Sequence, residues 1–175
     1  MRYVVAALVS VMLALSSAAK DQPVVSITSE PTGLTVHSKT GEKIVPGIVI
    51  YPDGLVLIRR YDGSEARKHI ERSRIDRLLK SLARTRFYVV TEDSFDAELP
   101  VEKKTERDGT IVTSSRIFIT DCPIWTIQAR YGGAARSTKF YGLWDLAEHY
   151  PKSKELKRLK SAFLLVYSSV GEKPF

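Results

Sequence analysis

One cysteine, Cys122, stands among 175 residues, so no disulfide can form within the chain and the fold rests on packing alone. It sits in "ITDCPIWTIQARYGG", Ile119 to Gly133, between Asp121 and Pro123. Its position leaves three readings open: a packed, half-buried thiol, a bridge to another chain, or a nucleophile paired with a histidine. Histidine is nearly as scarce, with His37, His69 and His149 in separate segments. Neither G-x-S-x-G nor H-E-x-x-H occurs, and no glycine-rich phosphate loop does. These absences leave no catalytic residue to nominate. The acids of "TEDSFDAE" lack the D-x-D-x-D-G order of a calcium loop. No metal site and no cofactor are expected.

Long apolar runs are also rare, and the one that is present reads as a leader. Val4 to Leu15 is interrupted only by Ser10, follows Arg2, and precedes the small residues Ser16, Ser17, Ala18 and Ala19, the pattern of a secretory signal peptide over residues 1–19. Twelve helical residues span about 18 Å against a hydrocarbon core of about 30 Å, so no transmembrane anchor is expected after cleavage. Lys20 and Asp21 follow where a lipoprotein would need cysteine. The expectation is a secreted or periplasmic protein whose residues 20–175 form a single domain, a size sufficient for one hydrophobic core.

Acidic charge is thin outside one stretch. Without Arg2 the chain carries 26 bases against 20 acids, a surplus of six, yet Glu92 to Asp108 holds seven acids and three bases. The remainder therefore has 23 bases and 13 acids, a surplus of ten. Such a protein outside the cytosol meets anionic partners: an envelope polymer, a lipid headgroup or an acidic protein. Nucleic acid is not expected, because no recognition motif accompanies the charge and the compartment is wrong.

Local patterns organise the chain. "PVVSITSE" and "GLTVHS" read as short strands. "GIVIYPDGLVLIRRYDG" reads as a hairpin, its runs Ile48 to Tyr51 and Leu55 to Ile58 joined at Pro52-Asp53-Gly54, where proline presets φ and glycine accepts a positive one. Ser73 and Asp76 form a capping-box pattern ahead of a helix with Ile75, Leu78, Leu79 and Leu82 on one face. "FYVV", Phe87 to Val90, reads as a short strand or an extended segment docked on the sheet, and Thr91 to Thr110 as a long acidic surface loop. "SSRIFIT" resumes the sheet, and a second hairpin pairs Ile124 to Tyr131 with Ala134 to Tyr141 across Gly132-Gly133. "LWDLAEHY" is a short helix, and Ser153 caps a last one carrying Leu156, Leu159, Phe163, Val166 and Val170. The fold class is α+β: an antiparallel sheet of about five to seven strands with two main helices on one face.

Two surfaces stand out as binding candidates. Arg74, Arg77, Lys80 and Arg84 lie opposite the apolar face of the first helix and form a basic ridge. Trp125, Arg130, Tyr131, Arg136 and Lys139 crowd the second hairpin, a composition suited to stacking and cation–π contacts with a sugar or an anionic polymer. The bland alternatives are a solvated charged face and core packing of the aromatics.

The order "YPDGLV", "SRIDRLLKSL", "RFY", a polar stretch, "TDCPIWTIQARYGG" and "KFYGL" resembles a group of exported bacterial single-domain proteins of unknown function. The likeness covers Ile44 to Leu159 and implies an α+β fold with no assigned activity. Where that group has a Cys-x-x-Pro-like start to the first hairpin, this chain has Val45-Pro46-Gly47, so cysteine-based properties of the group do not carry over. The functional expectation is a non-enzymatic exported protein that engages an anionic envelope component or a protein partner through its basic face. The alternative is a cell-wall-acting enzyme or enzyme inhibitor using residues 91–110 and nearby aromatics.

Overall fold

Strict alternation of buried and half-exposed residues along "VSITSE" marks a strand with one face in the core, and it is the centre of the sheet. The computed structural model describes residues 22–30, 32, 45–99, 102–105, 107, 111–114 and 121–173. In chain order the elements are β1 (Val25–Glu30), β2 (Gly47–Ile50), β3 (Leu55–Arg59), β4 (Glu65–His69), α1 (Arg72–Thr85), α2 (Glu92–Asp96), β5 (Glu102–Thr105), β6 (Ile111–Ser114), β7 (Ile124–Tyr131), β8 (Ala134–Tyr141), α3 (Leu143–His149) and α4 (Lys154–Val170). Six strands form one antiparallel sheet in the order β4-β3-β2-β1-β7-β8, and β5 pairs with β6 in a separate ribbon. The fold is α+β, as the sequence pattern implies.

Register explains the core. Ile58, Ile48, Ile27, Ile127 and Thr138 stand side by side on neighbouring strands, and Val56, Ile50, Val25 and Ala129 form the next row. All nine are buried. Because side chains alternate along each strand, these rows project from one face of the sheet, where Ile75, Leu78 and Leu82 of α1 and Leu156, Leu159, Phe163 and Val166 of α4 join them in one cluster. Trp125 packs edge-on against Trp144 and Phe163, with ring centroids 6.1 and 5.4 Å apart, which seals α3 and α4 onto β7.

The first hairpin forms where its turn residues place it. Tyr51 N–H donates to the Leu55 carbonyl and Gly54 N–H to the Tyr51 carbonyl, while Asp53 Oδ1 accepts from Leu55 N–H. Gly54 adopts φ +99°, and a Cβ there would lie 2.3 Å from the Ile70 carbonyl oxygen. That contact is the path of the chain from β4 into α1.

Several local expectations are corrected. Helix α1 starts at Arg72 with Glu71 as its N-cap, and no side chain caps it; Ser73 donates instead to the Glu71 carboxylate. Phe87–Val89 is a 3-10 turn that buries Phe87, neither a strand nor an extended segment, because Arg86 ends α1 in the left-handed conformation and redirects the chain at once. The stretch 91–110 is not a bare loop: Thr91 and Ser94 close a capping box on α2, whose Phe95 is fully buried. Glu65–His69, which lacks a strong strand pattern, pairs with β3 as the sheet's edge. A charged, short edge strand of this kind resists pairing with other chains. The expected strand "GLTVHS" falls outside the described residues, as does "SSRIFIT" apart from Ser114 in β6.

Candidate functional site

The basic ridge of α1 survives folding as a surface. Ile75, Leu78 and Leu82 face the core, and Arg77, Lys80 and Arg84 recur at i, i+3 and i+7 on the opposite side, all exposed. Arg74 is exposed but turned toward α4, where its Nη2 donates to the Ser168 carbonyl at 3.1 Å. A cation bonded to a carbonyl in the last turn complements that end of the helix. The contact also places the start of α1 beside the end of α4.

What the ridge joins was not read from the sequence. Lys154 and Lys157 are exposed on α4, away from its buried stripe, and Lys160 is exposed but lies over the Trp144 ring of α3, its Nζ 5.6 Å from the centroid. Together the two helices expose eight bases, Arg72 and Lys154 included, and one acid, Asp76. None of the eight makes an ion pair with a described residue. The ion-paired bases are others: Arg59 and Arg67 on Glu65 at 3.2 and 3.1 Å, Arg60 and Lys68 on Glu172, and, within α4 itself, the half-buried Arg158 on Glu155 at 2.7 Å. Along α1, Arg77 to Arg84 covers about 10 Å, and packed helices lie about 8–10 Å apart. The two helices therefore bring exposed positive charge together over distances comparable to those at which counterions screen, about 8–10 Å at physiological salt.

The hairpin candidate is divided by the pleat. Trp125 is 3% exposed and belongs to the core, so it presents no ring to a ligand, a correction that follows from its register opposite Phe140. Arg130 and Lys139 stand on the far face of the sheet. Tyr131 and Arg136 share the helix-bearing face and meet Tyr88 there: the Arg136 guanidinium carbon lies 4.9 Å from the Tyr88 ring centroid, and Tyr131 packs 6.4 Å from it. Burial, with Tyr88 beside it, pushes the Tyr131 phenol up. Five residues adjacent in sequence thus make no single surface.

Cys122 is 6% exposed and packs beneath the start of α3. Its N–H donates to the Tyr141 hydroxyl at 3.1 Å, its carbonyl accepts from the Thr32 hydroxyl at 2.7 Å, and its thiol donates to Asp145 Oδ2 at 3.3 Å. Burial first, then the carboxylates of Asp145 and Asp121, push the thiol up to about 11. At neutral pH it stays protonated, which suits a packed residue and not a nucleophile. Its partner is a carboxylate; His69 and His149 are exposed on β4 and at the end of α3.

The acidic segment is used structurally. Glu92 Oε1 accepts from the Tyr141 N–H at 2.9 Å on the edge strand β8, and Glu98 Oε2 accepts from the Ser153 hydroxyl and the Glu155 N–H at 2.5 and 3.2 Å. Among the described residues no group of three histidines, cysteines or carboxylates could hold a metal ion, and no helix is long and apolar enough to cross a membrane. Comparison with known proteins finds no match: no family model, no curated protein and no solved structure is similar to this chain.

Proposed function

We propose that this is an exported, non-enzymatic binding protein that engages an anionic envelope component through the joint face of α1 and α4. One observation carries the reading: eight exposed bases and one acid on two adjacent helices, none of the bases ion-paired with a described residue. A solvated face has no need to concentrate one sign, and like charges held together repel unless a polyanion or anionic surface neutralises them. The leader pattern of residues 1–19 supports export.

The wall-acting alternative gains nothing from the acidic segment. Phe95 anchors it in the core, and Glu92 and Glu98 are committed to β8 and to the start of α4. Binding of polyphosphate and of vesicles containing anionic lipid, each measured across a salt series, tests the proposal. Affinity should fall steeply with salt for at least one of them, and a variant with Arg77→Glu, Lys80→Glu and Lys157→Glu should lose it. Salt-independent binding, or none to either probe, would refute the reading.

A further inference from the structure

A second feature adjoins the basic face, with which it shares Lys154. Between the end of α2 and the turn joining α3 to α4 lies a cleft of about 530 Å³, within the ~300–1,000 Å³ of small-molecule sites. Its apolar wall is Leu99, Tyr150 and Pro151, and its polar rim carries His149, Lys152 and Lys154. Local structure holds it open. Tyr150 N–H ends α3 on the Leu146 carbonyl, and Ser153 N–H donates to the Tyr150 carbonyl at 3.1 Å, so Pro151 and Lys152 bulge outward in the turn. On the opposite side, Glu98 N–H and Leu99 N–H close onto Phe95 and Asp96.

The polar groups of the cleft divide into those already engaged and those available. The Glu98 carboxylate accepts from Ser153 and from the first turn of α4, where helix polarity offsets its charge. The Ser153 hydroxyl in turn accepts from Leu156 N–H at 3.1 Å. His149, Lys152 and Lys154 make no hydrogen bond or ion pair with a described residue and are exposed. An apolar wall bordered by the exposed ammonium groups of Lys152 and Lys154 selects one chemistry. We propose that the cleft binds a compact amphiphilic anion, a flat apolar ring carrying a phosphate or carboxylate. The ring lies against Leu99, Tyr150 and Pro151, and the anionic group meets Lys152 and Lys154.

Amide chemical-shift titration of the full mature chain tests this with four probes: phenyl phosphate, benzoate, phenol and inorganic phosphate. Phenyl phosphate or benzoate should perturb Leu99, Tyr150, Lys152 and Ser153 and bind at least about tenfold more tightly than phenol or inorganic phosphate; which of the two binds better identifies the anionic group. Lys152→Glu with Lys154→Glu should weaken that binding by about tenfold or more while the rest of the spectrum keeps its folded pattern. Arg77→Glu with Lys80→Glu should leave it unchanged, so a failure here is separable from a failure of the basic-face reading. Equal binding of inorganic phosphate, perturbation elsewhere in the protein, or no perturbation by either amphiphile would overturn the proposal.

Discussion

The thiol of Cys122 donates to Asp145 Oδ2 at 3.3 Å across the junction between the β7 turn and α3. A carboxylate acceptor stabilises the protonated thiol, as burial does, and both lift its pKa from near 9 to about 11. Native protein should therefore react slowly with a thiol reagent at pH 8. Asp145→Asn should accelerate the reaction by about tenfold, since each unit of pKa is tenfold in thiolate. Equal rates would mean that burial alone protects the sulfur.

The same shift sets a pH dependence. Below pH 9 folded and unfolded chains both hold the thiol proton, and stability is independent of this group. Between about 9 and 11 the unfolded chain releases the proton and the folded chain keeps it, so stability falls as pH rises. Tyr131 and Tyr167, whose phenols burial also pushes up, act in the same direction. The urea midpoint should drop across this window, and the drop should be smaller in Cys122→Ala.

Basic-face substitutions should separate binding from stability. Reversing Arg77, Lys80 and Lys157 removes three exposed cations and should reduce the slope of log affinity against log salt by about two to three. Because these side chains are exposed and make no ion pair with a described residue, the stability change should stay within about 0.5 kcal/mol per site. Leu82→Ala, on the fully buried side of the same helix, should cost about 2–5 kcal/mol. Urea titrations of the two sets give the contrast.

Gly54 should tolerate no side chain. Its φ of +99° and the 2.3 Å approach to the Ile70 carbonyl mean that Gly54→Ala strains the backbone and displaces the entry to α1, at a cost above about 1 kcal/mol. A thermal midpoint equal to that of the parent would show that the turn can relax.

The start of α4 is held by Ser153 and Glu98 together. Ser153→Ala should destabilise by about 1 kcal/mol, and Glu98→Gln by a similar amount because a charge-assisted bond to the helix start is lost. Double-mutant analysis should give non-additive costs, since one hydroxyl bridges both partners.

What the sequence alone determined was everything written in local chemistry. Pro52-Asp53-Gly54 and Gly132-Gly133 set two hairpins, apolar periodicity set α1, α3 and α4, and a serine at position 153 set a helix start. These signals are local because turn dihedrals, caps and amphipathic stripes depend on residues within a few positions of one another. The outward stripe of α1 was legible for the same reason.

Tertiary structure alone decided which of those stripes share a surface. The exposed bases of α4 come beside those of α1 because the two helices pack side by side on one sheet face, with Arg74 bonded to the Ser168 carbonyl 94 residues away in sequence. It also divided Arg130 from Tyr131 across the pleat, buried Trp125, and made Glu65–His69 a strand by giving it β3 as a partner. The reason is that strand pairing and burial are set by neighbours in space, and a single-residue step in register exchanges one face of a strand for the other.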